Sequence, residues 1–282
     1  MRLEKSLSHC NKSLEKYELY SILDGTVAIY AMKRPGSDRD NQDSCAIIPL
    51  SNNKAILALA DGVGGARGGD VASRLAIETL IEGTRNYKDD DENGVRHLIL
   101  EAFEKANQKI RDLGIGAGST FVVAELEKTY VRFYSIGDST GQLYGGKGSL
   151  KYRSIEHSPT GLAYEAGVME EKEALLHADG NILLYALGDP NLKMEISSAI
   201  DISERDIVLL ASDGLTSNLT EEEIASLITS GTIGERATRI ITSVADKMNF
   251  ALDNDLAIDQ LGHPDDFSLI LFGFSRSDVE EA

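Results

Sequence analysis

The chain has 282 residues, 42% hydrophobic and 26% charged, enough to bury one sizeable core but not clearly two. Asp and Glu total 46 against 28 Lys and Arg, a net charge of -18, which excludes a broad electrostatic grip on nucleic-acid phosphates. No apolar run approaches the roughly 20 residues that span a bilayer, and the polar start MRLEKSLSHCNKSLEKYE lacks a signal-peptide core, so no membrane insertion and a cytoplasmic location are expected.

Residues 1–24 read as an N-terminal extension, either docking on the domain or contacting a partner, and residues 25–282 as a single domain. Three β-rich runs open the domain: TVAIYAM, SCAIIPL and AILALA. Cys10 and Cys45 are too few for a disulfide framework, and Cys45 falls inside a strand run as a small hydrophobe. Asp70–Ile81 carries Val71, Ala72, Leu75, Ala76 and Leu80 on one stripe, and a longer helical stripe runs from Val95 to Leu113, with the acidic Lys88–Asn93 as a loop between them. TFVVAEL and YVRFYSI form a hairpin turning at Glu127–Lys128, followed by the runs GQLYG, NILLYAL and DIVLLAS. Two helices start with capping boxes, Thr220 with Glu223 and Thr232 with Glu235, and FSLILFGF closes the series. So many short strands, closely spaced, do not fit a βαβ alternation. They predict two mostly antiparallel sheets with helices outside, in the α+β class.

Three segments share one grammar, an apolar strand followed by Asp and a small residue: AILALADGVGG, YVRFYSIGDST and DIVLLASDGLT. They deliver Asp61, Asp138 and Asp213 to the rim of a core, where unpaired charges are costly and neighbouring carboxylates repel. Few Lys or Arg lie in these motifs, so a hard divalent cation such as Mg²⁺ or Mn²⁺ is the expected counter-charge, with Gly62 and Gly214 letting backbone approach it. For one motif alone, Asp-Gly is ordinary turn chemistry; three after buried strands favour a metal site. Two further acidic clusters, SDRDNQDS (Ser37–Ser44) and HPDDFSLILFGF with Asp265 and Asp266, add carboxylates, and the first sets Arg39 beside them as a phosphate ligand. The histidines, among them His97, His157, His177 and His263, show no metal-ligand spacing and read as structural or solvated. GVGGARGG lacks the Walker lysine and the spacing of a dinucleotide fingerprint.

In order, RDNQD, ADGVGG, GSTFVV, YSIGDS, HSPTG, LLASDGL and DDFSLI resemble the motifs of the metal-dependent Ser/Thr protein phosphatases of type 2C, the bacterial-like PPM family, from about Thr26 to Phe274. The resemblance implies a four-layer αββα sandwich with two Mg²⁺ or Mn²⁺ ions at one end, and a third, looser one in some members. It implies Asp61 as the bridging carboxylate, the Gly62 carbonyl as a ligand, Asp213 and Asp265 on the other ion, Asp43 closing the first motif, and Asp138 with Asp213 on the third ion. Ser119 and Thr120 match a structural strand start. The implied activity is hydrolysis of phosphoserine and phosphothreonine by a hydroxide bridging the two ions, with Arg39, Asp61 and Asp213 as catalytic residues. A phosphorylated protein substrate and an opposing Ser/Thr kinase follow as partners. The alternatives are a catalytically weak or silent phosphatase-like regulator and, less well supported, a metal-dependent nuclease.

The sequence departs from the family at four places. Asp38 occupies the usual phosphate-binding Arg position, leaving Arg39 as the candidate and Arg34 upstream. Gln42 stands where Glu is frequent, and Val63 and Ala66 stand where relatives carry a His. Asp266 takes the usual Asn position, so that either Asp265 or Asp266 would coordinate. The segment from about Lys147 to Asn181 reads as a flap beside the cleft.

Overall fold

The computed structural model describes residues 1–63, 67–85, 87–89, 94–177, 179–180, 182–254 and 262–274. Among the described residues, thirteen strands form two sheets in which every strand pairing is antiparallel. The seven-stranded sheet runs β1 (Leu7–Cys10), β4 (Asp43–Pro49), β5 (Lys54–Asp61), β6 (Phe121–Glu127), β7 (Tyr130–Ile136) and β10 (Glu195–Ile196), with β11 (Ile200–Asp201) also on β7. The six-stranded sheet runs β2 (Glu18–Ile22), β3 (Gly25–Met32), β13 (Phe267–Gly273), β12 (Ile207–Ala211), β8 (Thr140–Tyr144) and β9 (Leu150–Arg153).

The strands read as near-continuous apolar runs because both faces are covered. In β4 and β5, Cys45, Ile47, Leu57 and Leu59 face the second sheet, where Val208, Leu210, Ile270 and Phe272 meet them. The alternate residues, Ala46, Ile48, Ile56 and Ala58, point outward beneath α1 (Gly69–Thr84) and α2 (Gly94–Asp112), where Phe103 packs on Phe121 at 4.6 Å. On the other side Leu209, Leu269 and Leu271 are covered by α6 (Glu221–Ile228) and α7 (Ile233–Asn254) through Ile224, Ile228, Ala237, Ile240, Val244 and Met248. This is the αββα sandwich the sequence predicts. Both capping boxes form: Thr220 N–H donates to Glu223 Oε2 at 2.9 Å, and Thr232 N–H to Glu235 Oε2 at 2.8 Å. No helix of the described residues is long and apolar enough to cross a membrane.

Residues 1–24 lie on the domain: β1 pairs with β4 and β2 with β3, so this segment supplies an edge strand to each sheet. Its strands are half-covered, which is why no apolar run marks them. The apolar run at 181–187 forms no strand among its described residues; Ile182 and Leu184 are exposed, and only Leu187 bridges to Ser119. That run follows the flap segment, which holds α3 (Pro159–Glu165) and α4 (Glu171–Leu175), and its last residue Leu187 packs in the core. The expected acidic loop at 88–93 lies largely outside the described residues.

Removing residues 1–12 strips β1 from β4. At the usual net value of a ladder hydrogen bond this should lower unfolding free energy by on the order of 2–4 kcal/mol, readable in urea titrations of the full and shortened chains.

Candidate metal centre

Strand parity continues past the last apolar residues and puts the chemistry at one end of the inter-sheet core. Asp43 lies two residues before Cys45 on the inward face of β4, and Asp61 two residues after Leu59 on β5; the two stand opposite each other in register. Ser212 continues the inward face of β12, and Ser268 and Asp266 that of β13. The sheets are tied here: Ser212 Oγ donates to Asp43 Oδ2 at 3.0 Å across the sandwich. The chain passes from the seven-stranded to the six-stranded sheet between β7 and β8, and Asp138 sits at that crossing. Gly137 before it has φ of 99°, and a Cβ there would come within 2.7 Å of Thr120, so the crossing requires glycine. Asp213 opens the short α5 (Asp213–Thr216) directly after β12. A Cβ on Gly62 would overlap the Gly69 main chain and one on Gly214 the Asp266 carbonyl, so both glycines permit close backbone packing beside the carboxylates.

Main-chain hydrogen bonds fix the strand end that carries Asp61. Its N–H donates to Thr120 Oγ1 at 2.9 Å, its carbonyl accepts from Ser119 Oγ and from Thr120 N–H, each at 2.8 Å, and Thr120 Oγ1 lies 2.6 Å from Ser139 Oγ. These contacts give Ser119 and Thr120 a structural role.

The carboxylates are in one another's fields. Burial first, then Asp43, Asp213, Asp265 and Asp138, holds the Asp61 carboxyl well above its usual range. Burial, Asp265, Asp138 and Asp43 do the same to Asp213, while a hydrogen bond between the Asp61 and Asp213 side chains offsets part of that cost. Asp43 is pushed up to about 7 by burial and by Asp266, and Asp138 to about 6 by burial. Asp265 is raised by burial, with Asp266 adding to the shift and Arg34 opposing it. Asp43, Asp61, Asp138, Asp213 and Asp265 thus converge from separate strand ends.

Such a group fits divalent cations. Asp43 Oδ1 is buried and has no hydrogen-bond partner among the described residues, and the donors are all hard oxygens. Among the described residues no group of three or more His, Cys, Asp or Glu side chains forms a ready cage. Mg²⁺ and Mn²⁺ complete their spheres with waters and main-chain carbonyls, so one or two carboxylates per ion suffice.

Two sequence-level assignments are refined by this geometry. Arg34 and Arg39 are both exposed, and the Arg39 backbone N–H donates to Ser37 Oγ at 3.1 Å. Arg34 is the arginine whose charge acts on Asp265 and Asp266. Position within the motif favours Arg39, and this charge coupling favours Arg34. Of the adjacent pair, Asp265 shares the field of Asp213 and Asp61, whereas both oxygens of Asp266 accept backbone amides, from Arg34 at 2.6 Å and Gln42 at 2.7 Å. Ser212 and Ser268, which sequence reasoning passed over, were legible only as inward-parity hydroxyls beside the motif aspartates. His157 is structural, its Nδ1 accepting from Gly137 N–H at 3.2 Å and its ring lying edge-on to Tyr185. Beside Asp138 and Asp213 a cleft opens under the flap, walled by Arg153, Tyr164, Glu171 and His263. Arg153 stacks on Tyr164 at 4.6 Å and pairs with Glu221 at 3.1 Å, docking the flap on the body.

Residues 34–253 match the family model for protein phosphatase 2C. The chain is 31% identical over 212 residues to the serine/threonine phosphatase stp of Listeria welshimeri, covering 72% of this chain and 83% of the relative. It is 30% identical over 196 residues to protein phosphatase PhpP of Streptococcus pneumoniae, covering 68% and 79%. Among solved structures it superposes on serine/threonine phosphatase Stp1 of Staphylococcus aureus with a TM-score of 0.73 at 21% identity, over 88% of this chain and 94% of that one. It superposes on the catalytic domain of PstP in complex with two manganese ions with a TM-score of 0.67 at 22% identity, over 88% and 96%.

The electrostatics set a sign for stability. Asp43 has a carboxyl near 3.8 unfolded and about 7 folded, so the folded metal-free chain holds that proton more tightly. The resulting stabilisation is complete below about pH 4 and is lost as pH rises through about 7. Chelator-treated protein should therefore melt at a lower temperature at pH 7.5 than at pH 5, and Mn²⁺ should reverse that loss. Asp213→Asn should raise the metal-free melting temperature at pH 7.5 while abolishing the Mn²⁺ response, both measurable by scanning calorimetry.

Proposed function

Because the chain belongs to the protein phosphatase 2C family, we propose that it is a metal-dependent phosphatase removing phosphate from phosphoserine and phosphothreonine in proteins. The observation that carries this reading is the convergence of Asp43, Asp61, Asp138, Asp213 and Asp265 at one end of the inter-sheet core, far in excess of the nearby positive charge. A carboxylate cluster repels a phosphate dianion unless cations intervene, so it suits phosphoryl chemistry only as a metal holder. Asp61 and Asp43, paired across the β4–β5 ladder, together with the Gly62 carbonyl, Asp213 and Asp265, would hold two Mg²⁺ or Mn²⁺ ions, and Asp138 with Asp213 a third. Bound there, such ions acidify a water for attack on phosphorus and offset charge on the phosphoryl oxygens.

The remaining work falls to the chain. Arg34 takes the role of orienting the phosphoryl oxygens, because its charge acts on both Asp265 and Asp266, with Lys33 acting on Asp266 alone, and its backbone N–H is held by Asp266 Oδ1 at 2.6 Å. Ser212, hydrogen-bonded to Asp43 Oδ2, leaves Oδ1 for an incoming ligand. The rigid strand ends hold the carboxylates at fixed separation, so binding a metal requires little reorganisation. The cleft beneath the flap would receive the polypeptide around the phosphorylated residue. Cys45 is buried with a thiol pushed upward by its surroundings, and Cys10 is raised by burial, so neither offers the thiolate of a cysteine-based phosphatase. The substrate would be supplied by an opposing Ser/Thr kinase in the cytoplasm. A silent regulator is disfavoured because the acidic site is intact and the similar proteins are named as phosphatases.

Manganese-dependent release of phosphate from a phosphothreonine peptide should stop with chelator and with Asp213→Asn. Loss of a charged hydrogen bond costs about 1.5–3 kcal/mol, so Arg34→Ala should raise KM or lower kcat/KM by roughly 10- to 100-fold, while Arg39→Ala should change it by less than about 3-fold. Equal effects of the two variants in steady-state assays would remove Arg34 from this role.

A further inference from the structure

Asp266 lies immediately before β13 and continues the inward face of Ser268, Ile270 and Phe272; it is 9% exposed. Its two oxygens are fully engaged, Oδ1 accepting Arg34 N–H at 2.6 Å and Oδ2 accepting Gln42 N–H at 2.7 Å. Those amides belong to the two ends of the loop joining β3 to β4, so one carboxylate from the far end of the sequence closes that loop like a clasp. Within the loop, Arg34, Asp38, Arg39 and Asp40 are exposed, and its internal ties are short-range, Ser37 N–H to the Arg34 carbonyl at 3.2 Å and Arg39 N–H to Ser37 Oγ. Asp265, beside it, is exposed and makes a different contact. Its Oδ1 accepts Asp266 N–H at 2.8 Å, and its charge is felt by Asp213 and Asp61.

We propose that Asp266 is a positioning residue for phosphate binding: by clamping the Arg34 and Gln42 amides it fixes where the Arg34 guanidinium meets the phosphoryl oxygens, and it is not a metal ligand. The inference rests on the assignment of Arg34 to phosphate. The chemistry explains a carboxylate here. An amide side chain carries one acceptor oxygen, and its NH₂ would face the second backbone N–H donor to donor, whereas a carboxylate accepts both through charge-assisted bonds. Asp266→Asn, nearly isosteric, therefore opens one side of the clasp without emptying the site.

The test is a double-mutant cycle in the full chain at saturating Mn²⁺, with p-nitrophenyl phosphate as substrate and inorganic phosphate as inhibitor. Asp266→Asn should raise KM and the phosphate inhibition constant about 10-fold while lowering kcat by less than about 3-fold, and in an Arg34→Ala background should add less than about 2-fold. Calorimetric Mn²⁺ affinity should stay within about 2-fold of the parent, and Asp266→Ala, as a second variant, should follow the same pattern. Full multiplication of the two penalties, or a loss of Mn²⁺ affinity above about 10-fold, overturns the proposal, since Asp266 would then act independently of Arg34 or as a ligand. A normal Asp266→Asn enzyme beside an impaired Arg34→Ala enzyme overturns the clamp alone. An unimpaired Arg34→Ala enzyme overturns the phosphate role of Arg34 and the clamp with it.

Discussion

Like charges held together at the end of an apolar core are the constraint on which the rest of this structure depends. Asp43, Asp61, Asp138, Asp213 and Asp265 are each pushed toward the protonated form chiefly by burial, and most of them by one another. A fold that carries such a cluster must restrain it from outside. Here the restraint comes from hydrogen bonds that do not consume the carboxylates themselves: Thr120, Ser119 and Gln42 hold the backbone around Asp61 and Gly62, and only one oxygen of Asp43 is taken, by Ser212.

Much of this was legible in the sequence because burial on both faces writes a continuous apolar run. AILALA, DIVLLA and FSLILF could be nothing but central strands once their lengths were set against a helix, and the aspartates that follow or precede them had to fall at the core rim. The strands LSHC and ELYSI left no such trace, since an edge strand buries little and its pattern is that of any polar segment. NILLYAL misled for the converse reason: Ile182 and Leu184 are apolar but exposed, and only its end, Ala186 and Leu187, enters the core. The path of the β3–β4 loop was not legible, because sequence spacing carries no information about a loop whose two ends are gathered by Asp266, more than two hundred residues away.

The same distance in sequence explains why the site demands the whole sandwich. Asp43 and Asp61 belong to one sheet and Ser212, Ser268 and Asp266 to the other, and each pair of facing strands brings only part of the donor set. Closing the inter-sheet core around Leu57, Leu59, Leu210 and Ile270 is therefore the event that creates the acidic cluster, and the apolar burial that drives closure is what offsets its repulsion. Binding of a divalent cation then adds favourable energy only to the closed form, so the ligand stabilises the fold by as much as its affinity and concentration allow. With a cation bound at the cluster, the two sheets and the ion would form one thermodynamic unit, packing supplying the geometry and the ion the charge that packing alone cannot neutralise.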